Sequence, residues 1–499
     1  MERRTFLTAA GGVAAGAAGL VAAAAGALPV TAAPSSAGIG GLAPAADPAD
    51  PALAGRRRLV QSLDELRQAI GQAVPGTVIT VANGTYDVPA GAPIALAGVR
   101  GRPDRPVVVQ AESPGGVVLT GEQSFVLTGS TDVTLSGFAF RQQTTLDIPP
   151  DCKRIRLTRN DFQLADIEGV HWVMVRADYS TVDHNDFHGK STLGIYLGIE
   201  GAGTDGMARG VHITRNHFRD HTFAGSNGGE PIRLGVSPRA LSTAAAVVEF
   251  NLFERANGDP EAISVKSSGN VIRHNTIRDS IGGIVLRHGN GTRVEGNYLL
   301  SGANGIRIYG NDHQILSNYL ERVSGIVLGS GSLRDHYPGE PPTSRTGNDA
   351  PDRVRIALNS LLDCPGGISG ESHRTLPPLD CTIADNLLVA DAGQHVNMPF
   401  QDGITWSGNL VWGSAADGNA PAGTFTRSDP RLVAGQDGVR RLSAGSPAIN
   451  AATGSYPGGT LDLDGEPRGR RADVGADEYS FRKPRLRPLT AAEVGIHAR

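Results

Sequence analysis

Lys266 carries the strongest chemical hint in the sequence. Of the 46 basic residues only four are lysines (Lys153, Lys190, Lys266 and Lys483), which leaves 42 arginines. Lys266 ends the segment EAISVK amid acids and arginines, and a lysine, unlike an arginine, can give up its proton near neutral pH. Neighbouring segments supply its company. EPIRLG (230–235) aligns with EAISVK (261–266), stacking Glu230 on Glu261 and Arg233 on Ser264, and GIVLR (283–287) aligns next. If these are strands of successive turns, Ile263 and Val265 point inward with Ile284 and Leu286. Lys266 and Arg287 then both point outward, about one strand spacing (~4.8 Å) apart. Tyr309 continues that column, and Asn227, Glu230, Asp259 and Glu261 converge beside Lys266. Strict alternation turns Glu261 inward, so the carboxylates are expected at a bend before the strand.

Stacked carboxylates repel one another unless they are protonated or bind a metal. An amide with three carboxylates is an all-oxygen set that suits a hard cation, calcium above magnesium. The plain alternative is a row of solvated acids, but a salt-bridge ladder needs neither the asparagine nor the surplus acid. A nearby cation and Arg287 favour a neutral amine, which makes Lys266 a candidate general base; an ion pair with Glu261 is the competing reading. From Ala262 to Arg307 the local charge is +4 within a chain of net charge -4. That basic track fits a polyanionic chain, while the overall balance argues against nucleic-acid binding.

The elements that must position these residues show as a repeat. IRLTRNDF, STVDHNDF, VHITRNHF, VVEFNLF, NVIRHNTI, TRVEGNYL, HQILSNYL, VRIALNSL, CTIADNLL and ITWSGNLV each carry alternating apolar residues and then an asparagine. The asparagines are Asn160, Asn185, Asn216, Asn251, Asn275, Asn297, Asn318, Asn359, Asn386 and Asn409, spaced 21 to 41 residues apart. The shortest spacings suit one turn of a right-handed, single-stranded parallel β-helix, and the longer ones add loops. Asparagine suits the bend because it tolerates left-handed backbone angles and can bond to the next asparagine in the stack. Leucine-rich repeats lack their leucine spacing here, and propeller blades would be longer. Ser62-Leu63-Asp64-Glu65 reads as a capping box opening one amphipathic helix, placed to cover the first turn. The stretch from Ser443 to Tyr479 is rich in turn residues and is expected to close the other end.

Arg3-Arg4-Thr5-Phe6-Leu7 followed by an apolar run reads as a twin-arginine export signal over residues 1–33, with an ordinary export signal or a retained anchor as alternatives. Residues 34–55 read as a flexible linker, 56–480 as one β-helix domain and 481–499 as a C-terminal tail. An exported monomer, extracellular or periplasmic and free of the membrane once the signal is removed, is expected. Export permits a disulfide, and Cys364 and Cys381 are the pair closest in sequence, leaving Cys152 unpaired; spacing alone does not establish the bond.

NGGEPIRLG, FERANGDPEAISVKSSGNVIRHNT, GIVLRHGNGTRVEGNYL and GIRIYGNDHQILSNYL resemble the core motifs of polysaccharide lyase family 6, the alginate lyases and chondroitinase B type enzymes; VDHNDFHGK (182–190) resembles another of its segments. The resemblance implies a β-eliminating lyase of uronic-acid polymers, with alginate ahead of dermatan sulfate because no excess of bases for sulfate is visible elsewhere. It implies Lys266 as base, Arg287 as acid, and Asn227, Glu230, Asp259 and Glu261 as ligands of Ca2+. The family usually has Glu where this chain has Asp259. Lys190, Arg233, His288, Arg307, Tyr309 and His313 are expected to meet sugar carboxylates and hydroxyls. A uronan C5-epimerase, a hydrolase and a non-catalytic glycan-binding β-helix are the other classes the residues leave open.

Overall fold

The computed structural model describes residues 57–498; the export signal expected over residues 1–33 and the linker expected over 34–55 lie outside them. Three long sheets of 14, 11 and 14 strands run along the molecule, and within each sheet every strand pairs in parallel with the strand one turn away. This is the right-handed parallel β-helix expected from the repeat. Alternate residues fill its interior: Ile263, Val265, Ile284, Leu286, Ile306 and Ile308 are fully or almost fully buried. A column of aromatic rings, Phe140, Phe162, Phe187, Phe218 and Phe253, stacks inside at 4.7 to 5.0 Å between centroids.

The ten repeated asparagines form an unbroken ladder at one corner. In the first nine, Nδ2 donates to the Oδ1 of the asparagine one turn on, at 2.9–3.1 Å. The left-handed residue at this bend is not the asparagine but the one before it. Arg159, His184, Arg215, Phe250, His274, Gly296, Ser317, Leu358, Asp385 and Gly408 all have positive φ. The asparagine contributes hydrogen bonds rather than tolerance of strain.

The N-terminal helix spans Leu63–Gly71, is capped by the Ser62 side chain, and buries Leu66, Ala69 and Ile70. The second half of the box is displaced: Glu65 Oε2 accepts from the Gln61 N–H at 2.7 Å. The C-terminal stretch does not plug the far end. It lies along a flank, with Leu463 and Ala476 packed on Tyr298, Tyr319 and Leu362, and Ala448 and Val474 on Leu387 and Leu410. Cys152, Cys364 and Cys381 are all buried and free, so Cys364 and Cys381 are not bridged.

Candidate active site

The strands Ile232–Leu234, Glu261–Lys266, Gly283–His288 and Ile306–Ile308 are consecutive in the 11-stranded sheet. Arg233 pairs with Ser264, Ile263 with Ile284 and Val265 with Leu286, as the alignment requires. The register then slips at both ends of the Glu261–Lys266 strand. Glu261 pairs with Gly283, leaving Ala262 as an extra residue, and Lys266 pairs with His288 rather than Arg287. The first slip resolves the problem of Glu261: the carboxylate lies within the strand, and a bulge re-aims it. The second corrects the expected Lys266–Arg287 pairing. Bulges of this kind bend a strand and redirect side chains, often beside active sites.

Around Lys266 the charges are tightly interlocked. Its Nζ donates to Glu230 Oε1 at 3.2 Å, so its ion-pair partner is Glu230 and not Glu261. Glu261 Oε1 accepts from Arg287 at 2.8 Å and from Arg307 at 3.3 Å, and its Oε2 from the Ser264 hydroxyl at 2.5 Å. Asp259 accepts from the Glu261 N–H at 2.9 Å. Burial, and then the charges of Glu230 and Glu261, push the Asp259 carboxyl up to about 6. The guanidinium arms of Arg287 and Arg307 are 34% and 36% exposed whereas Glu230 is 1% exposed, so the acids form a floor under cations that reach solvent.

Glu230 Oε2 is buried without a hydrogen-bond partner. An orphaned, buried carboxylate oxygen beside a second acid is costly, and the all-oxygen donor set fits a hard cation. The predicted four ligands are not equally poised. Asn227 is exposed on the loop before Glu230, and Glu261 is engaged by two arginines. Among the described residues, the three acids that each bring one carboxylate oxygen within 4.8 Å of the others are Asp462, Asp464 and Asp477, not Glu230, Asp259 and Glu261.

Of the residues expected to meet substrate, Arg233, Arg307, His288 and Tyr309 lie on or beside these strands. Arg233 also reaches Glu200 at 3.4 Å. His288 is buried, shares a hydrogen bond with Ser237 at 3.1 Å, and is driven down to about 3 by burial and then by Arg287 and Lys266, so it is neutral. Tyr309, itself buried, donates to Glu371 at 2.6 Å, and the guanidinium groups of Arg307 and Arg374 lie over its ring at 5.8 and 5.1 Å from the centroid. The remaining two are enclosed. Lys190 has no exposed side-chain surface, and its ammonium lies 3.6 Å from Asp166 and donates to Thr192 (2.9 Å) and the Ile167 carbonyl (3.3 Å). His313 is fully buried, accepting from the Thr292 N–H and bonded to the Tyr309 carbonyl. Both lie deeper than the other four, although Tyr309 and His288 are themselves only 2% and 3% exposed. Glu200, Ser264, Glu371 and Arg374 were missed. Glu371 was findable: Ile308, Leu328 and Gly370 share a register, which puts Tyr309, Gly329 and Glu371 in one column.

This row of half-buried cations over a buried acid nest lies on a parallel β-helix, a fold the chain shares with solved lyases of polysaccharide lyase family 6. A family model described as Chondroitinase B matches residues 60–428, and the chain belongs to that family. A point mutant of AlyGC, an alginate lyase of polysaccharide lyase family 6, superposes with a TM-score of 0.71 at 25% identity. That alignment covers 88% of this chain, which spans 58% of the length of AlyGC. A mannuronic acid specific family 6 lyase from human gut microbiota gives a TM-score of 0.68 at 23% identity, covering 75% of this chain and 91% of its own. A family 6 polysaccharide lyase from Pseudopedobacter saltans gives 0.63 at 21%, covering 88% and 99%. No curated protein matches the chain.

Proposed function

We propose that this protein is a secreted polysaccharide lyase that cleaves alginate by calcium-assisted β-elimination. The observation that carries this reading is the juxtaposition of Lys266, Arg287 and Arg307 with a buried nest of Glu230, Asp259 and Glu261 on one sheet. The 25% identity to an alginate lyase supports the substrate. Calcium held by Glu230 and Asp259, with Asn227 and Glu261 as the remaining ligands, would offset the charge of the uronate carboxylate beside C5. Lys266 Nζ takes the C5 proton. The electron pair of that C–H bond forms the C4=C5 double bond as the C4–O4 bond breaks, and Arg287 serves as the acid to the departing O4. Arg307 and Arg233 hold neighbouring sugar carboxylates. Neutral His288 keeps a third positive charge away from Lys266. Tyr309, fixed by Glu371, presents its ring beside the cationic row.

Dermatan sulfate is the second substrate to consider, because the matching family model is that of chondroitinase B and Arg374 adds a cation beside Tyr309. Incubating the purified protein with alginate, dermatan sulfate and polygalacturonate, then weighing the products, tests both. Unsaturated oligosaccharides from alginate alone are the expected result. Cleavage of dermatan sulfate alone would reassign the substrate, and cleavage of none would remove the lyase reading.

A further inference from the structure

Between residues 460 and 487 the charges separate by depth. Asp462, Asp464, Glu466, Asp473 and Asp477 are buried, whereas Arg470, Arg471, Arg482, Lys483, Arg485 and Arg487 are exposed. Arg487 pairs with Glu493 at 3.0 Å. Among the described residues, Arg482, Lys483 and Arg485 have no carboxylate partner within ion-pairing distance, so these cations face solvent unopposed.

They are also held in place. The N–H groups of Arg485 and Leu486 both donate to the Asp464 carbonyl, at 3.1 and 2.9 Å. The Leu489 N–H donates to Thr276 Oγ1 at 2.8 Å, and Leu489 and Val494 pack on Leu252. Farther on, Arg159 donates to the carbonyls of Ile496 and Ala498. The tail is therefore a strap laid back along the β-helix. Pro484 and Pro488 stiffen it by fixing φ. Lys483, Arg485 and Arg487 are exposed at alternate positions, residues 484 and 486 are half-buried and Pro488 is buried, so these bases line the outer edge of the strap. Phe481 is 94% exposed and meets Tyr479 edge to face at 5.3 Å between centroids. An exposed aromatic ring beside unpaired cations combines a surface for sugar faces with partners for carboxylates.

We propose that Phe481, Arg482, Lys483 and Arg485 form an accessory site that holds a long polyuronate chain at a distance from the point of cleavage. The strap packs on strands of a 14-stranded sheet, whereas the candidate active site lies on the 11-stranded one. The ligand's identity rests on the reading of the active site as a uronate lyase; the strip itself rests on the strap's own geometry. A polyuronate is favoured over nucleic acid or an anionic membrane because the chain is acidic overall and the half-buried Arg287 and Arg307 of the candidate active site are read as serving the same polymer. In a net-negative protein a fixed cluster of unpaired bases sets where a polyanion is captured.

The test compares full-length protein with the triple variant Arg482→Ser, Lys483→Ser, Arg485→Ser, and with a charge-keeping control, Arg482→Lys with Arg485→Lys. At low ionic strength kcat/KM on long alginate should fall about tenfold in the triple variant, through KM, and the loss should vanish at high salt. Turnover of a purified tetrasaccharide should not change, and the control should behave as wild type. Electrophoresis through gels containing alginate reads binding without cleavage: wild type should be retarded and the triple variant much less. An unchanged polymer-to-tetrasaccharide ratio together with unchanged retardation would overturn the proposal, as would retardation by duplex DNA or binding to phosphatidylserine vesicles with none by alginate. Retardation that depends on the strip, without unsaturated products from wild type, would leave the accessory site standing and remove the lyase reading.

Discussion

Two nests of buried carboxylates lie in this molecule, and they differ in where their countercharges come from. Asp462, Asp464 and Asp477 are the closer set, yet they are enclosed and internally answered. Arg441 grips Asp464 through two nitrogens at 2.6 and 2.8 Å. Asp462 accepts from the N–H groups of Glu466 and Glu478, and Asp477 from that of Leu442. Arg468, almost fully buried, bonds to the carbonyls of Gly475 and Ala476 and pins the segment to Ser317. Glu230, Asp259 and Glu261 are less tightly gathered, but they lie under Arg287 and Arg307, whose arms reach solvent, and Glu230 keeps one oxygen unanswered. Proximity of acids does not make a site. An unspent oxygen beneath accessible cations does, because it leaves something for a ligand to complete.

The largest expected effect separates the nests by metal. Chelation should abolish cleavage and calcium should restore it, with magnesium or manganese restoring less; the Asp477→Asn variant should show the same requirement. Metal-free protein with full activity would show that the open nest needs no cation. Next in size is Lys266→Arg, which keeps the charge but cannot serve as a base near neutral pH. It should lower kcat by at least about a hundredfold with folding intact, and Arg287→Lys should be milder than Arg287→Ala. Retained turnover would make the Lys266–Glu230 pair as structural as that of Arg441 with Asp464. A smaller effect is expected at Gly329, where an added Cβ would come within 2.3 Å of the Tyr309 ring. Gly329→Ala should dislodge Tyr309 from Glu371 and raise KM several-fold; an unchanged KM would place Tyr309 outside the substrate path.

The enclosed nest makes the smallest prediction, and its sign follows from burial. Burial, and then the charges of Asp464 and Asp462, push Asp477 up to about 7. The native state thus keeps a proton that the unfolded chain releases near pH 4, and this group's contribution to stability falls as pH rises from about 4 to about 7. Asp477→Asn should raise stability by only about 1 kcal/mol at pH 5 and by about 4 kcal/mol at pH 8, measured by urea unfolding, with activity unaltered. Lower stability at both pH values would mean that the carboxylate is needed for its charge.

The sequence exposes this architecture unevenly, for physical reasons. The asparagine ladder was legible because one residue type recurs at each turn and its hydrogen bonds need an identical neighbour. The inward column through Ile263, Ile284 and Ile306 was legible because burial enforces alternation. The slips at Ala262 and Arg287 were not, since a bulge adds one residue without changing the apolar pattern on either side. The depth of Lys190 and His313 was not legible because residue type does not reveal burial: each lies beside a site-like motif, but inside the wall. Glu371 was obscured by the loop between Leu328 and Ile368, which delays its strand, and by Gly329, whose missing side chain lets Tyr309 reach across.

The central claim is that Lys266 removes the proton whose loss breaks the chain, and the most direct measurement is the ultraviolet absorbance and mass of products from alginate treated with wild-type protein and with Lys266→Arg. Wild type should give absorbing oligosaccharides with a C4=C5 bond, one water lighter than hydrolysis fragments, and the variant almost none. Saturated fragments, or an uncut polymer that has gained solvent deuterium at C5, would contradict it.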